Sequence, residues 1–235
     1  MAEPKLKLTY FRVKGRAELT RLALAAGGVP YEDERVSREE MQQRKASGEL
    51  PFGQFPVLSV GGKLFAQSYS IAKYAAKLAG LMPADPLLAL AVESIVDSTD
   101  DVRAKFVPIR YQPGSADDRL ARYADFFTGT LPAWLQKFER LFDSAGKEGF
   151  LVGDGLTLAD LAVFNMCDYL TSPSCEVQAA SPAHVEMAAK CLDAFPRLKA
   201  HQAMVAAQPK IAAWIAARPK TPHDNVVTLT DADYS

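Results

Sequence analysis

The chain has 235 residues, and its 27 basic and 28 acidic side chains give a formal net charge of −1. This balance argues against a protein that binds nucleic acid through bulk charge, because neutralising phosphates requires clustered cations. Apolar residues make up 49% of the chain, which is ordinary globular usage and excludes disorder as the main state. No apolar run approaches the roughly 18–20 residues of a membrane helix, so we expect no membrane partner.

The cysteine content and the opening residues bear on the location of the protein. Its 3 cysteines, Cys167, Cys175 and Cys191, are too few and too odd in number for a disulfide framework, and none forms a CxxC pair. The opening sequence MAEPKLKLTYF lacks an apolar stretch ahead of a small-residue cleavage site. Both observations favour the reducing environment of the cytoplasm.

Strand-like and helix-like patterns alternate over the first part of the chain. Alternating residues predict a strand over 5–11, with Leu6, Leu8 and Tyr10 on one face. The other elements predicted here are a helix over 16–26, a strand over 31–36, a hairpin of strands 57–60 and 63–66, and a helix over 68–78. The β-α-β order at the start indicates two parallel strands joined by a right-handed crossover.

The pattern changes near residue 82, after which helical spacing continues almost without interruption. Residues 82–86 contain two prolines and are typical of a linker. Helices are predicted over 87–109, 116–142, 157–170, 183–193 and 205–217. The third of these begins with Thr157 as cap and Asp160 reaching back, an Asp variant of the capping box. We therefore predict two domains, 1–82 and 87–222, followed by a polar tail over 223–235.

Two features of the first part could bind a ligand or be purely structural. Tyr10 ends the first strand, where open α/β sheets gather ligands and where a phenol can donate to a sulfur anion. It could equally continue the core face of that strand. Ser68 opens a helix, whose N-terminus attracts anions, but it could also serve only as an N-cap.

Two further features leave the same kind of choice. The bond before Pro56 could be cis and present the backbone of Phe55 to an extended ligand, or it could belong to an ordinary loop. Four acidic residues share one predicted helix face: Glu93, Asp97, Asp100 and Asp101. Because like charges at this spacing repel, the face requires a neighbouring Arg or Lys, a cation or a ligand ammonium group, unless it is simply solvated.

Several short motifs occur in a set order along the chain. KLTYF is followed by GRAE at 15–18, LPFGQFPVL at 50–58 and QS at 67–68. IVDSTDD at 95–101, GLTLADLAVF at 155–164 and AAWIAARP at 212–219 continue the series into the second part. This order resembles that of the glutathione transferases and covers nearly the whole chain. The residues within these motifs are most similar to those of the sigma class, which includes glutathione-dependent prostaglandin D synthases and cephalopod lens crystallins.

The resemblance implies a fold and a catalytic centre. The fold is an α/β N-terminal domain of thioredoxin-like type followed by an all-α domain, and the family works as a homodimer. Tyr10 would stabilise the glutathione thiolate, because a hydrogen bond to the charged form lowers a thiol pKa that is ordinarily about 8.5. Arg16 matches an arginine near this centre, whose positive charge would act in the same sense.

The resemblance also assigns residues to glutathione, the expected co-substrate. Phe55-Pro56 would pair its main chain with the cysteinyl unit, and Gln67-Ser68 would hold the γ-glutamyl carboxylate. Lys45 matches a lysine that contacts the glycyl carboxylate, and Gln54 stands where a lysine is frequent. Asp101 would reach the γ-glutamyl amine from the partner subunit, so each site would be complete only in the dimer.

The second substrate would occupy a pocket formed by Phe11, Val13, Arg103 and Val107. Arg103 and Val107 fall where prostaglandin synthases of this class carry methionine and tryptophan, so we do not expect prostaglandin isomerase activity. No metal is expected. The resemblance therefore implies a transferase that adds the glutathione thiolate to small apolar electrophiles. The alternatives are a glutathione-dependent isomerase or peroxidase, and a non-catalytic structural or carrier protein like the lens crystallins.

Overall fold

A four-stranded mixed sheet forms the first part of the molecule in the computed structural model, which describes residues 5–143, 149–171 and 182–219. Its strands are β1 (Leu6–Phe11), β2 (Glu32–Val36), β3 (Val57–Val60) and β4 (Lys63–Ala66), in the spatial order β2-β1-β3-β4. β1 and β2 are parallel, whereas β3 pairs antiparallel with both β1 and β4. The predicted strands, the parallel pair and the hairpin are confirmed.

The helices of this part are α1 (Glu18–Gly27), α2 (Arg38–Ala46) and α3 (Ser68–Leu78). A 3-10 turn, Gly15–Ala17, precedes α1, so the α-helix begins two residues later than predicted. α2 was not predicted, because it buries no residue and therefore shows no amphipathic period. It is stabilised instead by a reciprocal capping box: Ser37 Oγ accepts from the Glu40 N–H at 3.1 Å, and a Glu40 carboxylate oxygen accepts from the Ser37 N–H at 2.6 Å.

The second part is helical. Its elements are α4 (Pro86–Tyr111), α5 (Ala116–Asp125), a π-helical stretch (Phe126–Thr130), α6 (Leu131–Leu141), α7 (Leu158–Thr171), α8 (Pro182–Lys190), α9 (Pro196–Ala206) and α10 (Pro209–Ala217). The single helix predicted over 116–142 is therefore interrupted by the π-helical stretch. The prediction of one helix over 205–217 was wrong, because α9 ends at Ala206 and α10 starts at Pro209. The tail predicted over 223–235 lies outside the described residues.

One large apolar core joins the two parts. It contains Leu22 of α1 and Ala76 of α3 together with Val96 of α4 and Leu161 of α7, all of them buried. A smaller cluster, which includes Leu8 and Tyr10 of β1, lies within the first part. The C-terminal end of β1 and the turn at 15–17 therefore lie where the sheet meets the helical part.

The start of α7 is held by Asp160, which makes the reach-back bond of the predicted capping box. The buried Asp160 carboxylate accepts from the Thr157 N–H and from the Leu151 N–H, both at 2.8 Å. It also lies 3.0 Å from Nε2 of the buried His201 on α9. The Thr157 hydroxyl donates to the same carboxylate at 2.9 Å. Asp160 thus reaches back as expected and in addition ties α7 to α9.

Candidate functional site

Tyr10 continues the core face of its strand, which is one of the two roles that its sequence position left open. Its ring is buried in the smaller core cluster, and its hydroxyl oxygen accepts a hydrogen bond from the Arg16 N–H at 3.2 Å. Gly15 has a φ of 44°, and a Cβ there would lie 2.6 Å from the Tyr10 hydroxyl oxygen. The backbone of the turn therefore packs directly on the phenol, which only glycine permits at that position.

This hydrogen bond determines what the phenol can do. Accepting an N–H uses a lone pair of the Tyr10 oxygen and not its proton. The N–H also polarises the O–H, which strengthens the phenol as a donor. The Tyr10 hydroxyl at the end of β1 is thus prepared to donate to an anion, and a thiolate is one such anion.

Arg16 points across to the helical part. Its guanidinium lies 3.3 Å from the Asp100 carboxylate on α4, and the two side chains are 39% and 40% exposed. An ion pair this exposed contributes little stability, on the order of 0–1 kcal/mol. The Arg16–Asp100 pair instead keeps a positive charge beside the turn that contacts Tyr10.

A buried polar network fixes the same turn from behind. The Lys14 ammonium lies 2.9 Å from the Asp168 carboxylate of α7, which Arg218 also contacts at 3.3 Å. Arg218 and the Trp214 indole N–H both donate to the buried Glu18 carboxylate of α1, at 3.0 and 2.9 Å. The network therefore holds the first turn of α1 against the helical part.

The loop before β3 carries Phe55-Pro56, whose peptide bond is cis. The ordinary trans loop, one of the two possibilities left by the sequence, is thus wrong. The Phe55 ring packs edge-on against Phe11 at a centroid distance of 5.8 Å. Lys45, at the end of α2, runs along Gly53, where a Cβ would lie 3.6 Å from the lysine Cε. The side chains of Lys45 and Gln54 are both exposed to solvent.

The start of α3 corrects one expectation. Ser68 is the first residue of the helix and not its N-cap; Gln67 occupies the cap position with a φ of 75° and makes no side-chain capping bond. Gln67 is the non-glycine residue with positive φ among the described residues. Such backbone strain costs about 1–3 kcal/mol and is concentrated at binding sites. The helix that starts after the strained Gln67 has no side-chain cap, so its free N–H groups favour an anion.

The acidic face of α4 finds most of its partners within the chain. The Lys73 ammonium of α3 lies 3.1 Å from Glu93 and 3.3 Å from Asp97, and Asp100 is paired with Arg16. Asp101 is exposed and has no ion pair among the described residues. Neighbouring cations therefore account for three of the acids, and Asp101 is left facing outward.

A small cavity separates the turn at Gly15 from α4 and α7. Its volume is about 30 Å³, and its wall includes Arg103, one of the four residues predicted for the electrophile pocket. Val107 lies one helical turn further along α4, while Phe11 and Val13 pack against the smaller core cluster. Residues that sequence reasoning missed also line the cavity: Tyr69, Thr99, Ala162, Asn165, Met166 and Tyr169. The apolar residues of α7 among them could be predicted only as core, because a helical period does not identify which apolar residues face a cavity.

The described cysteines are not nucleophiles at neutral pH. Burial raises the pKa of Cys167 to about 12 and that of Cys191 to about 11. Burial also raises the pKa of the Tyr69 hydroxyl, so this cavity residue stays protonated. Within the described ranges, neither cysteine therefore has an environment that favours the thiolate.

Two other properties concern metals and membranes. Within 5–143, 149–171 and 182–219, no group of three or more His, Cys, Asp or Glu side chains is placed to hold a metal ion. Over the same ranges, no helix has both the length and the apolar character needed to cross a membrane.

Comparisons with known proteins identify the family. The family model described as "Glutathione S-transferase, N-terminal domain" matches residues 6–77, and that described as "Glutathione S-transferase, C-terminal domain" matches residues 100–218. Over 218 residues the chain is 33% identical to hematopoietic prostaglandin D synthase of Gallus gallus, covering 93% of this chain and 98% of the relative. It is 36% identical over 221 residues to probable glutathione S-transferase 7 of Caenorhabditis elegans, with coverage of 92% and 98%.

Solved structures agree. Rat hPGDS in complex with a quinoline superposes with a TM-score of 0.76 at 29% identity, covering 93% of this chain and 99% of that one. A monomeric glutathione S-transferase of the hookworm Necator americanus gives a TM-score of 0.75 at 31% identity, with the same coverage. The fold is therefore a thioredoxin-like α/β sheet joined to a helical part. The chain belongs to the glutathione S-transferase family and is an enzyme of that type, with glutathione as its co-substrate.

Proposed function

We propose that Tyr10 is the residue that activates glutathione in this enzyme, by donating its hydroxyl proton in a hydrogen bond to the thiolate. The observation that carries this assignment is the 3.2 Å bond from the Arg16 N–H to the Tyr10 oxygen at the end of β1. Each unit by which the thiol pKa falls corresponds to about 1.4 kcal/mol of preferential binding to the thiolate. The Arg16 guanidinium, held by Asp100, adds a positive charge in the same sense.

Glutathione lies on the surface between the Tyr10 hydroxyl and the start of α3. The backbone of Phe55-Pro56 pairs with the cysteinyl unit, and Gln67-Ser68 receives the γ-glutamyl carboxylate at the helix N-terminus. The exposed side chains of Lys45 and Gln54 contact the glycyl end of glutathione. The strained Gln67 and the absence of a side-chain cap on α3 support this orientation.

The second substrate is a small electrophile that the thiolate attacks beside α4. Phe11 and Val13 line the approach from the sheet, and Arg103 and Val107 line it from α4. The test is conjugation of glutathione to 1-chloro-2,4-dinitrobenzene, in which the S–C bond forms as chloride leaves. We expect saturable turnover well above the uncatalysed rate. No turnover with intact glutathione binding would favour the carrier alternative.

Isomerase activity is the second candidate, because the chain is 33% identical to a prostaglandin D synthase. A charged Arg103 and a small Val107 at the pocket favour conjugation over that reaction. Measuring conjugation, peroxidase and prostaglandin isomerase activities on the same preparation separates the three. Conjugation is expected to dominate.

The protein acts as a homodimer of the sigma class, in which Asp101 of one chain reaches the γ-glutamyl amine bound by the other. Two observations support this assembly. Asp101 is exposed and lacks an ion pair among the described residues. An apolar cavity of about 210 Å³, lined by Leu58, Phe65 and Tyr74 among others, opens between the β3–β4 hairpin and α3. A second copy would cover this apolar surface.

A mixed dimer tests the assignment of Asp101. Pairing a Tyr10→Phe chain with an Asp101→Ala chain puts both lesions in one site and leaves the other site intact. The mixed dimer should keep about half of the wild-type activity, while both mutant homodimers are impaired. Low activity in the mixed dimer would mean that Asp101 acts within its own chain. If the protein sediments as a monomer and is fully active, the dimer proposal is contradicted. One similar hookworm enzyme is described as monomeric.

We also propose a cellular location and domain bounds for the enzyme. The enzyme resides in the cytoplasm, as its free Cys167 and Cys191 thiols support. Its domains are 1–82, which binds glutathione, and 87–222, which contributes the electrophile side. Glutathione is its co-substrate, and it needs no metal.

A further inference from the structure

Arg103 differs from four other buried or half-buried arginines of the described chain. Arg16, Arg21, Arg44 and Arg218 are each paired with at least one carboxylate. Arg103, by contrast, makes no ion pair or hydrogen bond with any described residue, and its Nε is buried without a partner among them. Burying a guanidinium donor without an acceptor is unfavourable, so the site is incomplete as it stands.

The contact that Arg103 does make supplies no acceptor atom for its donors. Its guanidinium carbon lies 4.6 Å from the centroid of the Tyr169 ring, a cation–π distance. A cation–π contact occupies no hydrogen-bond donor, so the guanidinium N–H groups still require acceptors. Those N–H groups form a fork that fits the two oxygens of a carboxylate.

The cavity beside Arg103 has the size and lining of a site for such a group. Holding one water requires roughly 10–15 Å³, so about 30 Å³ accommodates about two water-sized atoms. The two oxygens of a carboxylate fit into this space, whereas an aromatic ring does not. Among the described residues, no Asp or Glu lines the cavity, while Arg16 and the polar Asn165 do. Because Asp100 pairs with Arg16, the positive charge that favours an anion comes from Arg103.

We propose that Arg103 binds a carboxylate carried by the electrophile, so that this enzyme prefers electrophiles bearing an anionic group over neutral ones of the same shape. The inference rests on the proposed function, because it names the substrate class of that same site. Arg103 acts as a specificity residue: it anchors the acid in the cavity while the reacting carbon stays beside the thiolate at Tyr10.

A matched pair of substrates tests this. 4-Chloro-3,5-dinitrobenzoate and 4-chloro-3,5-dinitrobenzamide react with glutathione in the same way, with an S–C bond formed and chloride released. We expect kcat/KM, divided by the uncatalysed rate constant of each compound, to favour the acid by about ten- to a hundredfold, the range of one charge-assisted hydrogen-bond pair. Most of the preference should appear in KM, because the anchor is remote from the reacting carbon.

The variants are Arg103→Met and Arg103→Lys, with Lys105→Met as the matched control. Lys105 is exposed on the same helix, so its substitution removes the same charge outside the cavity. We expect Arg103→Met to abolish the acid preference, Arg103→Lys to restore part of it and Lys105→Met to keep it.

The outcomes are separable. Wild-type enzyme that turns over both compounds without preferring the acid overturns the Arg103 proposal, whether or not the variants fold. Equal losses for acid and amide in Arg103→Met also overturn it, since they indicate a structural role. No turnover of either compound by the wild type contradicts the proposed function itself.

Discussion

Replacing Tyr10 by Phe removes one oxygen from a position that the structure defines closely. The variant loses the donor to the thiolate and also the acceptor of the Arg16 N–H. A hydrogen bond to a charged group contributes about 1.5–3 kcal/mol. At about 1.4 kcal/mol per pH unit, the pKa of bound glutathione should rise by about 1–2. Turnover at neutral pH should fall by about ten- to a hundredfold or slightly more.

Two assays separate the chemistry from the fold. Ultraviolet titration of the thiolate in the glutathione complex gives the pKa. Calorimetry gives the affinity, which should change little because the proposed contact of Tyr10 is to the sulfur alone. Losing the Arg16 N–H acceptor should lower the free energy of unfolding by about 1 kcal/mol. Tyr31→Phe is the matched control, because the buried Tyr31 hydroxyl finds no hydrogen-bond partner in the described part of the chain. An unchanged thiol pKa and rate in Tyr10→Phe would remove Tyr10 from the mechanism.

Three further predictions use the same structure. Ser68→Ala should weaken glutathione binding by about 1–3 kcal/mol in calorimetry with little loss of stability, since Ser68 does not cap α3; a stability loss at unchanged affinity would contradict this. Gly15→Ala should lower activity at least as much as Tyr10→Phe, because its Cβ would lie 2.6 Å from the phenol oxygen; wild-type kinetics would refute the close packing. Glu34→Gln should remove a pH-dependent stabilisation. The bidentate Arg44 lowers the Glu34 pKa from 4.5 to about 2, so the stabilisation exists above about pH 4.5 and disappears as the pH falls toward 2. Urea unfolding should show a difference on the order of 1–2 kcal/mol at pH 7, after allowance for partial solvent exposure, and a smaller difference at pH 3, which lies between the two pKa values.

The sequence predicts those elements that bury one face. β1 alternates because Leu6, Leu8 and Tyr10 turn inward, and α1 shows helical spacing because Leu19 and Leu22 face the core. α2 has no buried residue, so periodicity misses it, although its capping residues Ser37 and Glu40 were readable. The start of α9 at Pro196 was readable in the same way, because proline is favoured at the first helical position.

The site is less predictable than the fold, for reasons that differ between residues. Tyr10 could be placed at a strand end, but its partner is a backbone N–H, which no residue type reveals. The positive φ of Gln67 is equally hidden, because glutamine does not usually adopt it. The acidic residues of α4 were visible as a cluster. That Lys73 and Arg16 neutralise them depends on how α3 and the first turn pack on α4.

The least predictable feature is the buried network behind the catalytic turn. Glu18 and Arg218 are 200 residues apart, and Lys14 and Asp168 are 154 apart. Local patterns carry no information about pairs this distant. Removing one member of a buried ion pair typically costs about 3–5 kcal/mol, because the remaining charge is left desolvated. The turn that donates the Arg16 N–H to Tyr10 is therefore held from the sheet side by the phenol and from the helical side by Asp168, through Lys14. The proposed activation of the thiol by Tyr10 thus depends also on Asp168 of the helical part, which fixes this turn through Lys14.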